Sequence, residues 1–271
     1  MSSEASASEG AESAEGAGVT PSPLLGVPGA VGETIADHYG DPVAEQRALA
    51  AGRAVVDLSD RGVVTVSGPD RLRWLDSLTS QALADLQPGV GVESLLLDPH
   101  GHLEHAMHVL DDGETTWLIV EGDSAPSLAA WLDRMRFMMQ VEVADVSAQW
   151  AVLGVMLPDP ATGALPVEPA TSHDVPLLWR DPWAQVQTGG WQYAVVGEHP
   201  GAEYAAAELL IPRADLAALA DRARAGEVRL AGSLAHEALR VAAWSPSFAA
   251  ESDDKSIPHE LDWIRSAVHL A

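Results

Sequence analysis

The segment GVESLLLDPHGHLEHAMHVL, residues 91–110, constrains the fold more strongly than any other part of the chain. Two stretches rich in apolar residues flank the tetrapeptide DPHG, whose Asp, Pro and Gly are typical of tight turns. The segment therefore predicts a β-hairpin, in which successive side chains point to opposite faces of each strand.

Further strands and helices alternate along the chain without a regular rhythm. The segments RGVVTVSG (61–68), WLIVEG (117–122) and WQYAVVG (191–197) have the composition of strands. Helices are predicted where apolar residues recur at helical spacing, as in PDRLRWLDSLTSQAL (69–83) and SLAHEALRVAAW (233–244). The sequence contains no GxGxxG phosphate loop. This pattern favours an α+β fold over a dinucleotide-binding fold.

The composition excludes several classes of partner. The chain has 40 acidic and 15 basic residues, a formal net charge of -25, and Lys255 is its only lysine. A broad basic face for nucleic acid is therefore not expected, and anionic membranes would repel the chain. We expect a cytoplasmic protein, because the sequence has no run of about 18 apolar residues and no secretory signal. Cysteine is absent, which excludes disulfides and thiolate metal sites within these residues.

Four of the ten histidines, His100, His102, His105 and His108, lie in the predicted hairpin. The first two belong to the turn, and alternation along the second strand directs His105 and His108 to opposite faces. A metal site needs at least three ligands about 2 Å from one ion, so no metal site is predicted. His105 is expected on the inward, apolar face, either as a core histidine bonded to the backbone or as a functional residue.

Residues 55–109 contain a D-x-S segment, V-x-G-x-D before a helix, a Leu-Thr pair, P-G and a leucine-rich strand that leads into a Gly-containing turn. In this order, these segments resemble the folate-binding aminomethyltransferase superfamily, typified by the T-protein of the glycine-cleavage system. The resemblance resumes at residues 206–226, 233–244 and 257–271, and covers most of residues 35–271. Within the superfamily the chain is more similar to the YgfZ-type folate-binding proteins, which include iron–sulfur assembly relatives.

The resemblance implies an α+β, T-protein/YgfZ-like fold of two mixed sheet-and-helix domains. We expect a disordered acidic tail over residues 1–33, a first domain over 34–148, a ferredoxin-like second domain over 149–246, and a segment, 247–271, that returns to the first.

Family members continue into a K-G-C-Y-x-G-Q-E signature and a C-terminal β-barrel domain, and both are missing before Ala271. A reading frame truncated or interrupted at this point is expected, with a natural cysteine-free paralogue as the alternative.

T-proteins carry an Asp-Asp pair after the hairpin turn, and their catalytic carboxylate comes from this pair. The matching positions here are His105 and Ala106. A carboxylate can stabilise a cationic folate nitrogen or relay its proton, whereas a neutral imidazole has no standing negative charge. Glu104 is predicted to face the other side of the strand and to be unable to replace it. The resemblance therefore marks His105 as the candidate catalytic position and argues against aminomethyl transfer by the T-protein route.

The resemblance also implies four residues that bind tetrahydrofolate or another reduced folate. Glu208 matches the Glu of the G-x-x-G-x-E pterin region and would accept two hydrogen bonds, unless it is a solvated carboxylate at a strand edge. Arg240 matches the Arg of T-L-R-L and would bind a folate carboxylate or form a structural salt bridge. Glu260 and Trp263 lie in the last matched segment, where Trp263 would stack on an aromatic ligand or pack in the core.

Three functions follow from these observations. The first is a tetrahydrofolate-binding accessory protein that supports iron–sulfur cluster assembly or repair, with iron–sulfur assembly proteins or clients as partners. The second is a folate-dependent aminomethyltransferase or other one-carbon transferase that uses another carboxylate. The third is a non-catalytic folate-binding fragment.

Overall fold

The computed structural model describes residues 20–158 and 165–270. Its strands and α-helices are, in chain order, α1 (Pro42–Ala50), β1 (Val55–Asp57), β2 (Gly62–Ser67), α2 (Arg71–Leu78), β3 (Gly91–Leu97), β4 (Leu103–Asp111), β5 (Thr115–Val120), α3 (Ser124–Arg134), β6 (Glu142–Asp145), β7 (Trp150–Met156), β8 (Thr171–Ser172), β9 (Val175–Pro176), β10 (Leu178–Arg180), β11 (Ala206–Pro212), α4 (Leu216–Arg224), β12 (Leu230–Ala231), α5 (Ser233–Ala242) and α6 (Phe248–Glu251). This mixture of helices and sheets confirms the predicted α+β class. Within the described ranges, no helix is both long and apolar enough to span a bilayer.

The first sheet has the strand order β3-β4-β5-β2-β6 and is antiparallel throughout. It contains the predicted hairpin, formed by β3 and β4. One face packs beneath α2 and α3, where Leu118 and Leu128 are buried. The other face, which carries Val63 and Ile119, packs against the second sheet. Because both faces are covered, β5 is buried over most of its length.

The second sheet has the order β10-β11-β7-β1-β12, in which β1 and β12 are parallel and the other neighbours antiparallel. Its inner face contributes Val56, Val152 and Leu210 to the core that it shares with the first sheet. Its outer face packs Leu153 and Leu209 against α4. The charged residues of the candidate site lie between the two sheets, beside this shared core.

The N-terminal prediction is wrong for residues 20–33. Pro23–Gly26 form a 3-10 helix, and Leu24 is fully buried in the cluster beneath α4. Val31 forms a β-bridge with His38. Leu24, together with the partly buried Val27, anchors this segment, because the second sheet and α4 leave a site for these side chains. Residues 1–19 of the predicted tail lie outside the described residues.

The predicted strand WQYAVVG does not form. Residues 191–197 are irregular, Tyr193 and Val195 are exposed, and the amide of Trp191 donates to the carbonyl of Ile264. Aromatic and β-branched residues favour a strand only where a neighbouring strand can pair with them, and this segment has none among the described residues.

The sheets do not follow the predicted domain boundaries at every point. Strand β1 lies within predicted residues 34–148 but pairs with β7 and β12 of the second sheet. Near the C-terminus, Trp263 and Ala267 pack against Leu95 and Leu103 of the first sheet. The division of the chain into four parts therefore stays a prediction.

Gly154 of β7 lies between β1 and β11 at the level of the candidate site. It pairs with Val56 on one side and Glu208 on the other. A β-carbon at this position would lie 2.5 Å from Val56 Cγ1 and 2.9 Å from Leu58 Cδ1. Gly154→Ala is therefore expected to lower the free energy of unfolding by about 1–3 kcal/mol through overpacking.

Denaturant unfolding of the Gly154→Ala variant measures this effect. A β-carbon at Gly197 would have no heavy atom within 4 Å, so Gly197→Ala is the matched control and should change stability by less than about 0.5 kcal/mol. Equal stabilities for the two variants would show that β1 can shift to accept the methyl group.

Candidate functional site

Four charged or titratable side chains meet between the two sheets and form what we call the intersheet cluster: Arg61, His108, Glu121 and Glu208. Arg61 directly precedes β2 and Glu121 directly follows β5, and the pairing of Gly62 with Val120 places the two at the same end of the first sheet. His108 projects from β4, and Glu208 projects from β11 of the second sheet. The cluster therefore joins the two sheets through polar contacts.

Both carboxylate oxygens of Glu208 are occupied. Oε1 forms an ion pair with Arg61 Nη1, and Oε2 lies 2.8 Å from His108 Nδ1. The second guanidinium nitrogen of Arg61 lies 3.5 Å from Glu121 Oε1. Glu208 is only 4% exposed, so the alternative of a solvated carboxylate at a strand edge is wrong. Its charge is compensated within the protein, as burial of a carboxylate requires.

His108 is held neutral in this cluster. Its ring stacks on Trp179 with centroids 3.8 Å apart and planes 2° from parallel. Removal from water, together with the positive charge of Arg61, lowers the pKa of His108 well below its usual value. The same two causes lower the pKa of His236 to about 3. A neutral His108 beside a carboxylate donates its Nδ1–H to Glu208, so it orients Glu208 without adding charge.

A short segment closes the cluster on one side. Ser247 Oγ and the amide of Ala249 donate to Glu121 Oε2 over 2.9 and 3.0 Å. Pro246 and Phe248 then cover the space beside Arg61, and the cavity that remains has a volume of about 10 Å³. Such a cavity has room for roughly one water molecule.

The hairpin strand presents Ala106, not His105, to this cavity. Ala106 lines it together with Arg61 and His108, and alternation along β4 places His105 on the opposite face. The Nδ1 atom of His105 is buried and has no hydrogen-bond partner among the described residues, and burial lowers the pKa of the ring. The predicted backbone partner is therefore absent at Nδ1. The ring stacks on Phe248, with centroids 6.5 Å apart.

Trp263 packs in the core and holds a second buried carboxylate. It is 1% exposed, and its Nε1 donates to Glu93 over 2.6 Å, while Ser266 Oγ donates to the other oxygen of Glu93 over 2.5 Å. Glu93 pairs across the strands with His108. Burial and then the charge of Asp181 raise the pKa of Glu93 to about 8, and burial raises the pKa of Asp181 to about 7. Glu93 is therefore mostly protonated at neutral pH.

The other two predicted binding residues, Arg240 and Glu260, line a larger cavity of about 580 Å³, which we call the open cavity. It lies between α5 and the segment 259–262. Its aromatic lining consists of Trp183, Tyr193, His199, Trp244 and His259. Its charged lining consists of Arg240, Glu251, Glu260 and Asp262. Pro246 lines both this cavity and the intersheet cavity, so the segment around it separates the two.

Arg240 forms structural ion pairs with Glu237 and Glu251 in this arrangement. Its Nε lies 2.9 Å from Glu237 Oε2, its Nη2 lies 2.9 Å from Glu251 Oε1, and it also donates to the carbonyl of Ser245. These contacts compensate its charge within the protein. Glu260 is exposed, and one of its oxygens accepts the amide of Ile257 over 3.2 Å. Its other oxygen is available to a ligand.

The structure therefore places the predicted site residues at separate locations. Glu208 and Trp263 lie near the intersheet cluster, Arg240 and Glu260 lie at the open cavity, and His105 faces away from Glu208. Sequence reasoning missed Arg61, Glu121 and His108 as members of a site. Strand alternation could have shown that His108 shares a face with Ala106. No local signal links Arg61 and Glu121, because their contact depends on the pairing of β2 with β5.

A reduced folate, implied by the sequence resemblance, fits one of these sites and not the other. At Glu208 both oxygens are taken and the adjoining cavity holds about one water, so a pterin edge does not fit there as the protein is folded. The open cavity has the volume typical of small-molecule sites and combines aromatic walls with the carboxylate of Glu260. Within the described residues, no three His, Asp or Glu side chains are arranged to hold a metal ion.

Comparison with solved structures finds a protein with a similar fold. The glycine cleavage system aminomethyltransferase T from Bartonella henselae superposes with a TM-score of 0.67 at 17% identity, over 91% of this chain and 69% of that chain. This likeness confirms the predicted T-protein-like fold. The heterotetrameric sarcosine oxidase from Corynebacterium sp. U-96, in complex with pyrrole 2-carboxylate, matches 67% of this chain and 93% of that chain at 14% identity. Its TM-score of 0.34 is too low to indicate a shared fold.

Comparison with protein families gives the stronger result. Residues 35–171 match the GCVT N-terminal domain. The matched range includes Arg61, Ala106, His108 and Glu121 of the site described above. Because this range spans just over half of the 271-residue sequence, the chain belongs to the GCVT N-terminal domain family.

Proposed function

We propose that this protein binds a reduced folate in the open cavity, is not an aminomethyltransferase of the T-protein type, and acts as an accessory protein in iron–sulfur cluster assembly or repair. Membership of the GCVT N-terminal domain family supports the folate. The resemblance to YgfZ-type proteins, which rests on His105 and Ala106 in place of the T-protein Asp-Asp pair and on residues 257–271, supports the accessory role. The cytoplasm, where such partners would be met, is the proposed location.

One observation argues most directly against T-protein chemistry. The position of β4 that faces the intersheet cluster is Ala106, which has no carboxylate. The two carboxylates of the cluster, Glu208 and Glu121, are each already bonded to Arg61. A paired and buried carboxylate is a poor general base and a poor partner for a cationic folate nitrogen. The cluster therefore holds the two sheets together and is not available for catalysis.

The open cavity provides the groups that a pterin needs. Tyr193 and Trp244 are 54% and 53% exposed and offer aromatic faces for stacking. Glu260 offers a carboxylate oxygen to ring N–H donors. When bound, a reduced folate supplies a carrier of one-carbon units. The protein's residues would bind and orient it at the surface of α5.

Glu260→Gln is expected to weaken the binding of 5-formyltetrahydrofolate about tenfold, because a charge-assisted hydrogen bond becomes a neutral one. Quenching of tryptophan fluorescence during titration measures the dissociation constant. Glu142→Gln, an exposed change on β6, is the matched control and should leave affinity unchanged. Unchanged affinity in the Glu260→Gln variant would remove the open cavity as the folate site.

The proposed role is tested in two further ways. The purified protein, supplied with an aminomethyl donor and tetrahydrofolate, is expected to form no methylenetetrahydrofolate above the uncatalysed rate. Turnover at the rate of a T-protein would contradict the proposal. Depletion of the protein from its host is expected to lower the activity of iron–sulfur enzymes, and the wild-type gene should restore it. If iron–sulfur enzymes in the depleted host keep their full activity under oxidative stress, the accessory role is excluded.

A further inference from the structure

The open cavity contains more carboxylates than cations. Glu251, Glu260 and Asp262 line it, and the only arginine in its lining is Arg240. Arg240 is bonded to Glu251 and also to Glu237, which lies just outside the lining. A second cation, Arg265, lies just outside the lining, with its guanidinium over the ring of Trp183. These two arginines face four carboxylates, those of Glu237, Glu251, Glu260 and Asp262, so the region around the cavity keeps a net negative charge.

One histidine of the lining, His199, adds no positive charge. Burial, together with the nearby charge of Arg265, lowers the pKa of His199, which is therefore neutral at pH 7. Asp262 accepts the amide of Tyr193 with Oδ1 over 3.0 Å, whereas its Oδ2 is buried without a hydrogen-bond partner among the described residues. The carboxylate of Asp262 therefore adds negative charge to the wall of the cavity, which disfavours a ligand that brings further negative charge.

The rest of the protein adds to the same field. The formal net charge of the chain is -25. Acidic groups over the whole surface repel an approaching anion, and the repulsion acts over about 10 Å or more when the ionic strength is low. Each negative charge that a bound ligand carries near the mouth of the open cavity therefore lowers the affinity of that ligand.

From this charge balance we infer that the open cavity takes a reduced pterin with a short or absent anionic tail and discriminates against polyglutamylated folates. This inference rests on the proposed function and specifies its ligand. The neutral, N–H-rich pterin ring donates to Glu260 and adds no charge beside Asp262, whereas each γ-linked glutamate adds one negative charge. Discrimination comes from electrostatic repulsion and needs no steric exclusion at the open mouth.

The test compares three ligands with the same pterin ring: 5-formyltetrahydropteroate, 5-formyltetrahydrofolate and its triglutamate. Isothermal titration with the full chain in 20 mM salt is expected to show affinity falling about two- to fivefold for each added glutamate. In 500 mM salt the differences should shrink to less than twofold. Glu260→Gln should reduce the dependence on tail length, whereas Glu142→Gln should leave it as in the wild type.

The outcomes separate this inference from the proposed function. Affinity that is equal for the three ligands, or that rises with tail length at low salt, would overturn the inference and leave folate binding in place. A dependence on tail length that persists unchanged in 500 mM salt would also overturn it, because the cause would then be steric. Failure of all three ligands to bind would contradict the proposed function itself.

Discussion

Replacing Arg61 with Leu is expected to lower the free energy of unfolding by about 3–5 kcal/mol. Arg61 is 9% exposed and pairs with Glu208, which is 4% exposed, and with Glu121. Without the guanidinium, the carboxylate of Glu208 stays buried with only His108 as a side-chain partner. An uncompensated buried charge costs more than the lost contact itself.

Urea unfolding at pH 7 measures the effect of Arg61→Leu. Arg224→Leu is the matched control, since Arg224 forms an exposed pair with Asp221, and its replacement should cost less than about 1 kcal/mol. The double variant Arg61→Leu with Glu208→Leu should recover much of the lost stability, because no buried charge remains. If the double variant is less stable than Arg61→Leu alone, the cluster does not act as an isolated charge pair.

Replacing Glu93 with Gln is expected to stabilise the protein at pH 9 by about 3–5 kcal/mol relative to the wild type, with little change at pH 5. Burial raises the pKa of Glu93 from 4.5 to about 8. Between these values the folded protein holds a proton that the unfolded chain has released, so the wild type loses stability as the pH rises from about 4.5 to 8. Glutamine mimics the protonated acid at every pH, so the variant does not lose this stability as the pH rises.

Thermal or urea unfolding from pH 5 to pH 9 gives the slope of stability against pH. Part of the slope should remain in the Glu93→Gln variant, because burial also raises the pKa of Asp181 to about 7. Glu142→Gln alters an exposed carboxylate and should leave the slope as it is. A slope that is the same in the wild type and in Glu93→Gln would show that Glu93 is ionised in the folded protein.

These two variants also bear on function, because they separate structural polar groups from ligand-binding ones. Arg61 and Glu93 hold the sheets and residues 263–266 in place, and neither lines the open cavity. If the proposal is correct, Glu93→Gln binds 5-formyltetrahydrofolate like the wild type while its stability profile changes. Glu260→Gln should bind 5-formyltetrahydrofolate more weakly than the wild type while its stability profile stays unchanged.

Local sequence patterns were sufficient to predict much of the secondary structure and the fold class. Turn residues at 98–101 between two apolar runs predicted the β3–β4 hairpin, and the spacing of apolar residues predicted α2 and α5, because alternation and helical periodicity are properties of neighbouring residues. The predicted strand over 191–197 failed for the same reason, since a strand also needs a partner that composition does not specify. Residues 20–33 were misjudged because the site that receives Leu24 is formed by α4, far along the chain.

Which charged groups meet depends on the tertiary structure. Glu208 was identified as a candidate, but its partners Arg61 and His108 lie 147 and 100 positions away and reach it only when the two sheets pack face to face. Alternation puts His105 and Ala106 on opposite faces of β4, but only the packing of the second sheet decided that Ala106 faces the cluster. Arg240 and Glu260 line one cavity because residues 259–262 fold back near α5. Such contacts depend on the relative placement of whole elements, which local sequence patterns do not encode.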